Sequence, residues 1–269
     1  MHRIDSSGAV AVLPAPAAVG STVGYWSNGD PVGGIQATQL DQDWFNSVQE
    51  ELVGIVVAAG LTPDKTNRAQ VLTALRTLFG GNMRVFASFG TTTWTVPAGV
   101  TKVRARVWGA GGGGGVFGGG FPSGGGGGGG YAEGVYTVTP GASIAVTVGL
   151  GGVANAAGGS SSFGTYCSAT GGQPGTNGTG AGVGLGGNGG IGTGGALNVI
   201  GSGGGAGIVL TSGDKAGGNG GGTFCASSTG YPWIGGAAIG GAWPGGGASG
   251  QPAAGSTASG GNGLVIIEW

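Results

Sequence analysis

The apolar positions change period along the chain. In DQDWFNSVQEELVGIVVAAG (41–60), Phe45, Val48, Leu52, Ile55 and Ala59 recur at alternating spacings of three and four, which predicts a helix with one apolar seam. Asp41 and Asp43 stand at its start, where carboxylates favour the helix dipole, and Gly60 stands where a C-cap is expected. LTPDKTNRAQVLTALRTLFG (61–80) predicts a second helix: Asn67 and Gln70 have capping-box spacing, Val71, Leu72, Leu75, Leu78 and Phe79 form the stripe, and Gly80 and Gly81 end it. Two short helices bury too little surface to stand alone, so their stripes are expected to pack on each other and on neighbouring copies. Phe45, Val48, Leu52, Ile55, Leu72 and Leu75 are the oligomerisation residues on this reading.

From Arg84 the period becomes two. TTTWTVP, VTKVRARVWGA, YAEGVYTVTP and SIAVTVGLGG alternate as strands do, with Val103, Ala105 and Val107 on one face and Lys102, Arg104 and Arg106 on the other. SSSFGTYCSATGG, ALNVIGSGGG and the closing GLVIIEW continue the pattern, and Leu264 to Trp269 is expected to return and complete an antiparallel β unit. Several of these strands run straight into glycine, as in RVWGAGGGGG and NVIGSGGG, and GLGGNGGIG (184–192) has glycine at two places of every three. That triplet suits an extended helix with three residues per turn and no internal hydrogen bonds, whose N–H and C=O groups neighbouring helices must satisfy. The expected fold is therefore mainly β plus polyglycine-II. An irregular segment (1–40) and two short α-helices (41–83) precede an antiparallel β unit whose strands extend into a bundle of glycine-rich helices (84–269).

Composition sharpens this. Of 269 residues, 74 are glycine and 11 proline, which without a fixed period ordinarily signals disorder, yet 39% are apolar and only 7% charged. Between Gly109 and Ile267 the charged residues are Glu133, Asp214 and Lys215, so this part lacks the clustered cations that nucleic acid requires. His2 is the single histidine, which argues against a His-based nucleophilic or metal site. No catalytic residue, metal or cofactor is expected, and scarce carboxylates speak against a glycosidase. Cys167 and Cys225 read as small buried apolar residues rather than a bridge. No run spans a bilayer, and Asp5, Pro14 and Pro16 make GAVAVLPAPAAVG a poor cleavable leader.

Short insertions between glycine runs carry the remaining chemistry: Phe117 and Phe121 in VFGGGFPSG, Asp214 and Lys215 in VLTSGDK, Phe224, Tyr231 and Trp233 in TFCASSTGYPWIGG, and Trp243 in GAWPGG. Aromatic side chains rimmed by Ser, Thr and Asn suit a recognition surface.

MHRID with ATQLDQDWFNSVQEELVGIVVAAGLTPDKTNRAQVLTALRTLF resembles the N-terminal region of phage and prophage tail fibres. FGTTTWTVPAGVTKVRARVWGAGGGGG and GGGGGGGYAEGVYTVTPGASIAVTVGLGG resemble the glycine-rich domain at the receptor-binding end of such fibres. The resemblance implies a short, non-enzymatic fibre of the virion tail, made in the host cytoplasm. Its N-terminal segment would join the tail tip or baseplate, its helices would assemble a homo-oligomer, a trimer in such fibres, and its glycine-rich loops would bind a host surface receptor (pilus, outer-membrane protein or lipopolysaccharide). A structural virion decoration and an ice-binding glycine-rich protein are the competing readings.

Overall fold

A computed structural model describes residues 2–18, 24–79, 82–233, 236–255 and 257–269. The chain divides into two compact units, Met1–Gly81 and Asn82–Trp269.

The first unit contains α1 (Gln42–Ala58) and α2 (Gln70–Phe79). Asp41 is the N-cap of α1, its carboxylate accepting from the Trp44 N–H at 2.9 Å. The helix ends in a Schellman arrangement. Gly60 takes φ +73°, its N–H reaches Val57 O, and the Leu61 N–H reaches Val56 O while the Leu61 side chain packs on the Val56 cluster. Asn67 Oδ1 accepts from the Ala69 N–H, and Gln70 is buried, donating to Thr62 O and accepting from the Asp64 N–H. Gly80 and Gly81 lie outside the described residues.

The contact between the helices uses Val56, Ala59 and Ala74, with Ile55, Leu61 and Val71 against them. Of the predicted seam, Phe45 and Val48 face solvent, as do Leu72 and Leu75, while Leu52 is half-buried. The N-terminal segment lies along the helices, held by Arg3 on Glu50 (2.7 Å), Lys65 on Asp5 (2.6 Å), and Gln49 and Asp43 accepting from the Ile4 and Ala17 N–H groups.

Among its described residues the second unit has twelve strands: β1 (Met83–Phe86), β2 (Gly90–Thr95), β3 (Lys102–Trp108), β4 (Tyr131–Thr137), β5 (Ser143–Val148), β6 (Ser161–Phe163), β7 (Cys167–Ala169), β8 (Gly192–Thr193), β9 (Leu197–Val199), β10 (Ile208–Val209), β11 (Lys215–Ala216) and β12 (Leu264–Glu268). They form two five-stranded sheets, β1-β12-β3-β4-β9 and β2-β5-β6-β7-β8, and a separate β10–β11 hairpin, with every pairing antiparallel. The fold is thus mainly antiparallel β with two short helices. The closing strand β12 sits between β1 and β3, with Ile267 opposite Ala105.

The sheets share one core. Val103, Ala105, Val107, Ala132, Val265 and Ile267 of the first sheet meet Trp94, Ile144, Val146, Val148, Phe163, Cys167 and Ala169 of the second. Every one of these alternates with an outward residue, so a period of two suffices to build the core. Cys225, by contrast with the expectation, is exposed; both cysteines are free. It belongs to a hairpin tip, at φ +65°, and not to a strand's inner face.

Strands β3, β5, β7 and β9 continue as extended glycine segments, and β4, β6, β8 and β12 are entered from such segments. Hydrogen bonding along Ser123–Gly130 has a period of three. Gly124, Gly127 and Gly130 donate to Thr176, Gln173 and Thr170; Gly125 and Gly128 to Gly205 and Ser202; Gly126 and Gly129 to Ala248 and Gly245. In return the carbonyls of Gly124, Gly127 and Gly130 accept from Gly115, Gly112 and Gly109, those of Gly125 and Gly128 from Gly187 and Gly190, and those of Ser123 and Gly126 from Gly218 and Gly221. The run is therefore enclosed by neighbours on all sides, some parallel and some antiparallel to it.

That enclosure explains the seven consecutive glycines. A Cβ on any of Gly124 to Gly130 would fall 1.9–2.4 Å from a backbone atom of an adjoining segment. Larger side chains return at positions that face outward: Thr170, Gln173 and Thr176 on one segment, and Leu185, Asn188 and Ile191 on the next, are all exposed, whereas Ala110, Ser123, Ala248, Ser249 and Gln251 are buried within the segments. Hydroxyls close the outer N–H groups. Thr170 Oγ1 accepts from Ile191 (2.8 Å), Thr176 Oγ1 from Leu185 (2.7 Å), Ser202 Oγ from Gly222 (2.7 Å) and Thr229 Oγ1 from Gly220 (2.8 Å).

Candidate functional site

The path of the glycine segments sorts the insertions into two groups. The segment after β3 runs outward to 116–121 and returns to β4; the one after β7 runs to 179–183 and returns to β8. The segment after β9 runs out to the β10–β11 hairpin, and 217–222 comes back to the sheets. Phe117, Phe121, Asp214 and Lys215 therefore lie at the end remote from the sheets, and Trp233 joins them by bridging to Ala216.

Contacts tie this remote end together. Lys215 Nζ lies 5.5 Å from the centre of the Phe117 ring, a cation–π pair, and Gln251 Oε1 accepts from the Phe117 N–H at 2.8 Å. Gly118 and Phe121 exchange backbone hydrogen bonds, and Asn177 Oδ1 accepts from the Val116 N–H. Phe117, Phe121 and Lys215 are half-buried, Asp214 is exposed and accepts from the Ser212 hydroxyl, and Trp233 is exposed. Ile234 and Gly235, the close of that insertion, lie outside the described residues.

Phe224 and Trp243 stand at the other end, beside the sheets. Phe224 stacks on Tyr131 at 4.3 Å between ring centres, its carbonyl accepts from Trp108 Nε1 at 2.8 Å, and the adjacent Thr223 hydroxyl donates to Gly129 O. Trp243 precedes Gly245, whose carbonyl accepts from the Gly129 N–H and whose N–H reaches Asn262 at the entry to β12. Tyr231 lies between the two ends, its hydroxyl beside Gly205. The eight candidate residues thus do not form one site.

The charged residues of the first sheet were read only as an outward face. Arg104 and Arg106 of β3 sit between Glu133 of β4 and Glu268 of β12: Arg104 reaches Glu133 at 2.5 Å and Glu268 at 3.6 Å, and Arg106 binds Glu268. The Tyr131 hydroxyl donates to Glu133, and this bond, with Arg104 beside it, holds the Glu133 carboxyl below its ordinary value. Burial, reinforced by that carboxylate, pushes the Tyr131 phenol well above its usual value. Glu133 is thus held ionised by the Tyr131 hydroxyl and Arg104, which is the wrong state for a general acid. Among the described residues no group of three or more His, Cys, Asp or Glu could hold a metal, and no helix is long and apolar enough to cross a membrane.

A family model described as a glycine-rich domain matches residues 86–269. The chain belongs to this glycine-rich domain family. The match takes in β2 to β12 and all the glycine segments. Two curated proteins are also similar. Uncharacterized protein StfP of Escherichia coli (strain K12) is 40% identical over 78 residues, 29% of this chain and 35% of that protein. Tail fiber protein S of Escherichia phage Mu is 36% identical over 83 residues, 30% of this chain and 16% of that protein. The chain spans about a third of the first relative's length and about a sixth of the second's.

Proposed function

We propose that this member of the glycine-rich domain family is a phage tail fibre, located in the virion tail, that recognises a host bacterial surface receptor through the loops at the remote end of its glycine segments. Similarity to a tail fibre protein supports the first part. The observation that carries the second is the convergence of Phe117, Phe121, Asp214, Lys215 and Trp233 at that end. A segment such as 109–115, at ~3.1 Å per residue, reaches ~20 Å beyond β3 if it is a polyglycine-II helix, and the period-three bonding supports that reading. A lattice of backbone bonds is stiff, so the loops it carries are pre-organised for binding. The role is structural and adhesive, not catalytic.

The domain assignment follows: 1–40 attaches to the tail tip or baseplate, 41–83 assembles a homo-oligomer, expected to be a trimer, and 84–269 is the receptor-binding domain. Phe45 and Val48 on α1 and Leu72 and Leu75 on α2 are exposed at seam spacings of three, which suits packing against other copies. Purified full-length chain, added to susceptible cells before the virions, is expected to block adsorption in a saturable way. Adsorption unaffected at any concentration of the bound or soluble chain would contradict the reading.

A further inference from the structure

The outer face of the first sheet is built like the start of a second core. Reading across the strands, Leu264, Trp108, Tyr131 and Val199 form one row, and Val85, Ile266, Arg106, Glu133 and Leu197 the next. A third row holds Met83, Glu268, Arg104 and Val135. A solvated antiparallel face ordinarily alternates to polar side chains. Here the chain covers its first row itself, laying Phe224 on Tyr131 and packing Val199 and Ile266 against Trp108, Tyr131 and Leu264. The other rows are left open: Val85 is 44% exposed, Leu197 45%, Met83 56% and Val135 67%.

The charges on these rows do not prevent burial. Arg104 and Arg106 are already neutralised by Glu133 and Glu268, so covering them strands no unpaired charge. The Arg106 Nε is already buried, with no hydrogen-bond partner among the described residues. A face that is apolar at both flanks and internally neutral at its centre has the composition of an interface core rather than of a rim.

We propose that this face is buried against a second copy of the chain. The occupant is argued from continuity along the sequence. The exposed apolar side chains of α2, ending in Leu75, Leu78 and Phe79, are followed after residues 80–82 by Met83 and Val85 on the edge strand of this same face. Copies joined through their helical seams carry β1 into the same assembly within a few residues. The proposal rests on the homo-oligomer reading of the helices and adds a second surface to it.

The test uses the full chain at micromolar concentration, with hydrogen peroxide oxidation of Met83 followed by mass spectrometry alongside light scattering. The expected result is an oligomer in which Met83 oxidises at least ten-fold more slowly than in a dissociated Leu72→Glu/Leu75→Glu variant. Val85→Glu/Leu197→Glu is expected to restore fast oxidation and lower the mass while leaving the β circular dichroism unchanged. An oligomer whose Met83 oxidises at the dissociated rate, or whose mass is unmoved by Val85→Glu/Leu197→Glu, overturns the face but leaves the helical interface standing. A monomer at all concentrations overturns both. Should the double variant misfold, Val85→Thr, which keeps a β-branched residue in the strand, is expected to give intermediate protection of Met83, and wild-type protection counts against the proposal.

Discussion

Adding one methyl group at Gly127 has a consequence that can be worked from geometry. An alanine Cβ there would sit 2.0 Å from Asn188 O, against 3.4 Å or more for an ordinary contact, so the 184–191 segment must retreat by about 1.4 Å. That segment is held to the central run by the Gly187 N–H on Gly125 O and the Gly190 N–H on Gly128 O, each 2.8 Å. The retreat lengthens both to about 4 Å, beyond hydrogen-bonding range. Two buried bonds lost at about 1–3 kcal/mol each, less the ~0.4–1 kcal/mol that alanine contributes by stiffening the unfolded chain, leaves a net cost of about 1–6 kcal/mol. Urea titration followed by hydrogen exchange and mass spectrometry reads this on peptides from 109–130, with α1 peptides as the internal reference. Gly180→Ala is the control: no atom lies within 4 Å of its added Cβ, and the change is expected to stay within about 0.5 kcal/mol. A cost at Gly127 below about 1 kcal/mol, or one matched by Gly180→Ala, would refute the enclosed-segment account.

Other expectations follow from single contacts. Asp41→Ala removes the α1 cap and should cost about 1 kcal/mol in urea titration of the helical peptides. Gly54→Ala, in the middle of α1 with open space around its Cβ, should stabilise the same unit by about 0.5–1 kcal/mol. Glu133 has a folded pKa below its ordinary 4.5, so its stabilising contribution is complete above that value and is lost as pH falls through the folded one. Glu133→Gln should therefore flatten the acid limb of the β unit's stability below about pH 4.5, and an unchanged limb would discount the Tyr131–Glu133–Arg104 contacts.

The strands were legible because each alternates between a core of fixed sign and an outward face, as Val103, Ala105 and Val107 do against Lys102, Arg104 and Arg106. Edge strand β1, four residues long and mostly exposed, carries too little of that alternation to stand out. The helices were placed correctly, and Ile55, Ala59 and Val71 of the expected stripes do lie at their contact, but Phe45, Val48, Leu72 and Leu75 face solvent instead. α1 is apolar on more than one side, so a spacing of three and four selects Phe45 and Val48 as readily as Val53 and Val56, and the sequence alone does not say that Val53 and Val56 are the buried pair.

The eight recognition candidates show a different limit. Composition identified them as insertions but did not say at which end each lies. The parity of the glycine runs does: a segment that leaves a sheet ends remote from it, and the next one returns. On that rule 116–121 and 208–216 are remote, whereas 223–228, reached after the return through 217–222, is beside the sheets, where Phe224 stacks on Tyr131. The capping hydroxyls of Thr170, Thr176 and Ser202 were also missed. Their signal was a lone Ser or Thr at the outward position of a glycine triplet.

The central claim is that the glycine unit is a stiff mount whose remote loops recognise the host. Its most direct measurement is equilibrium binding of fluorescently labelled full-length chain to susceptible cells. Phe117→Ala/Lys215→Ala at the remote end is compared with Trp243→Ala beside the sheets, with hydrogen exchange confirming that each variant is folded. The account predicts at least ten-fold weaker binding for the remote pair and near wild-type binding for Trp243→Ala. Equal binding by all three proteins, or a loss confined to Trp243→Ala, would contradict it.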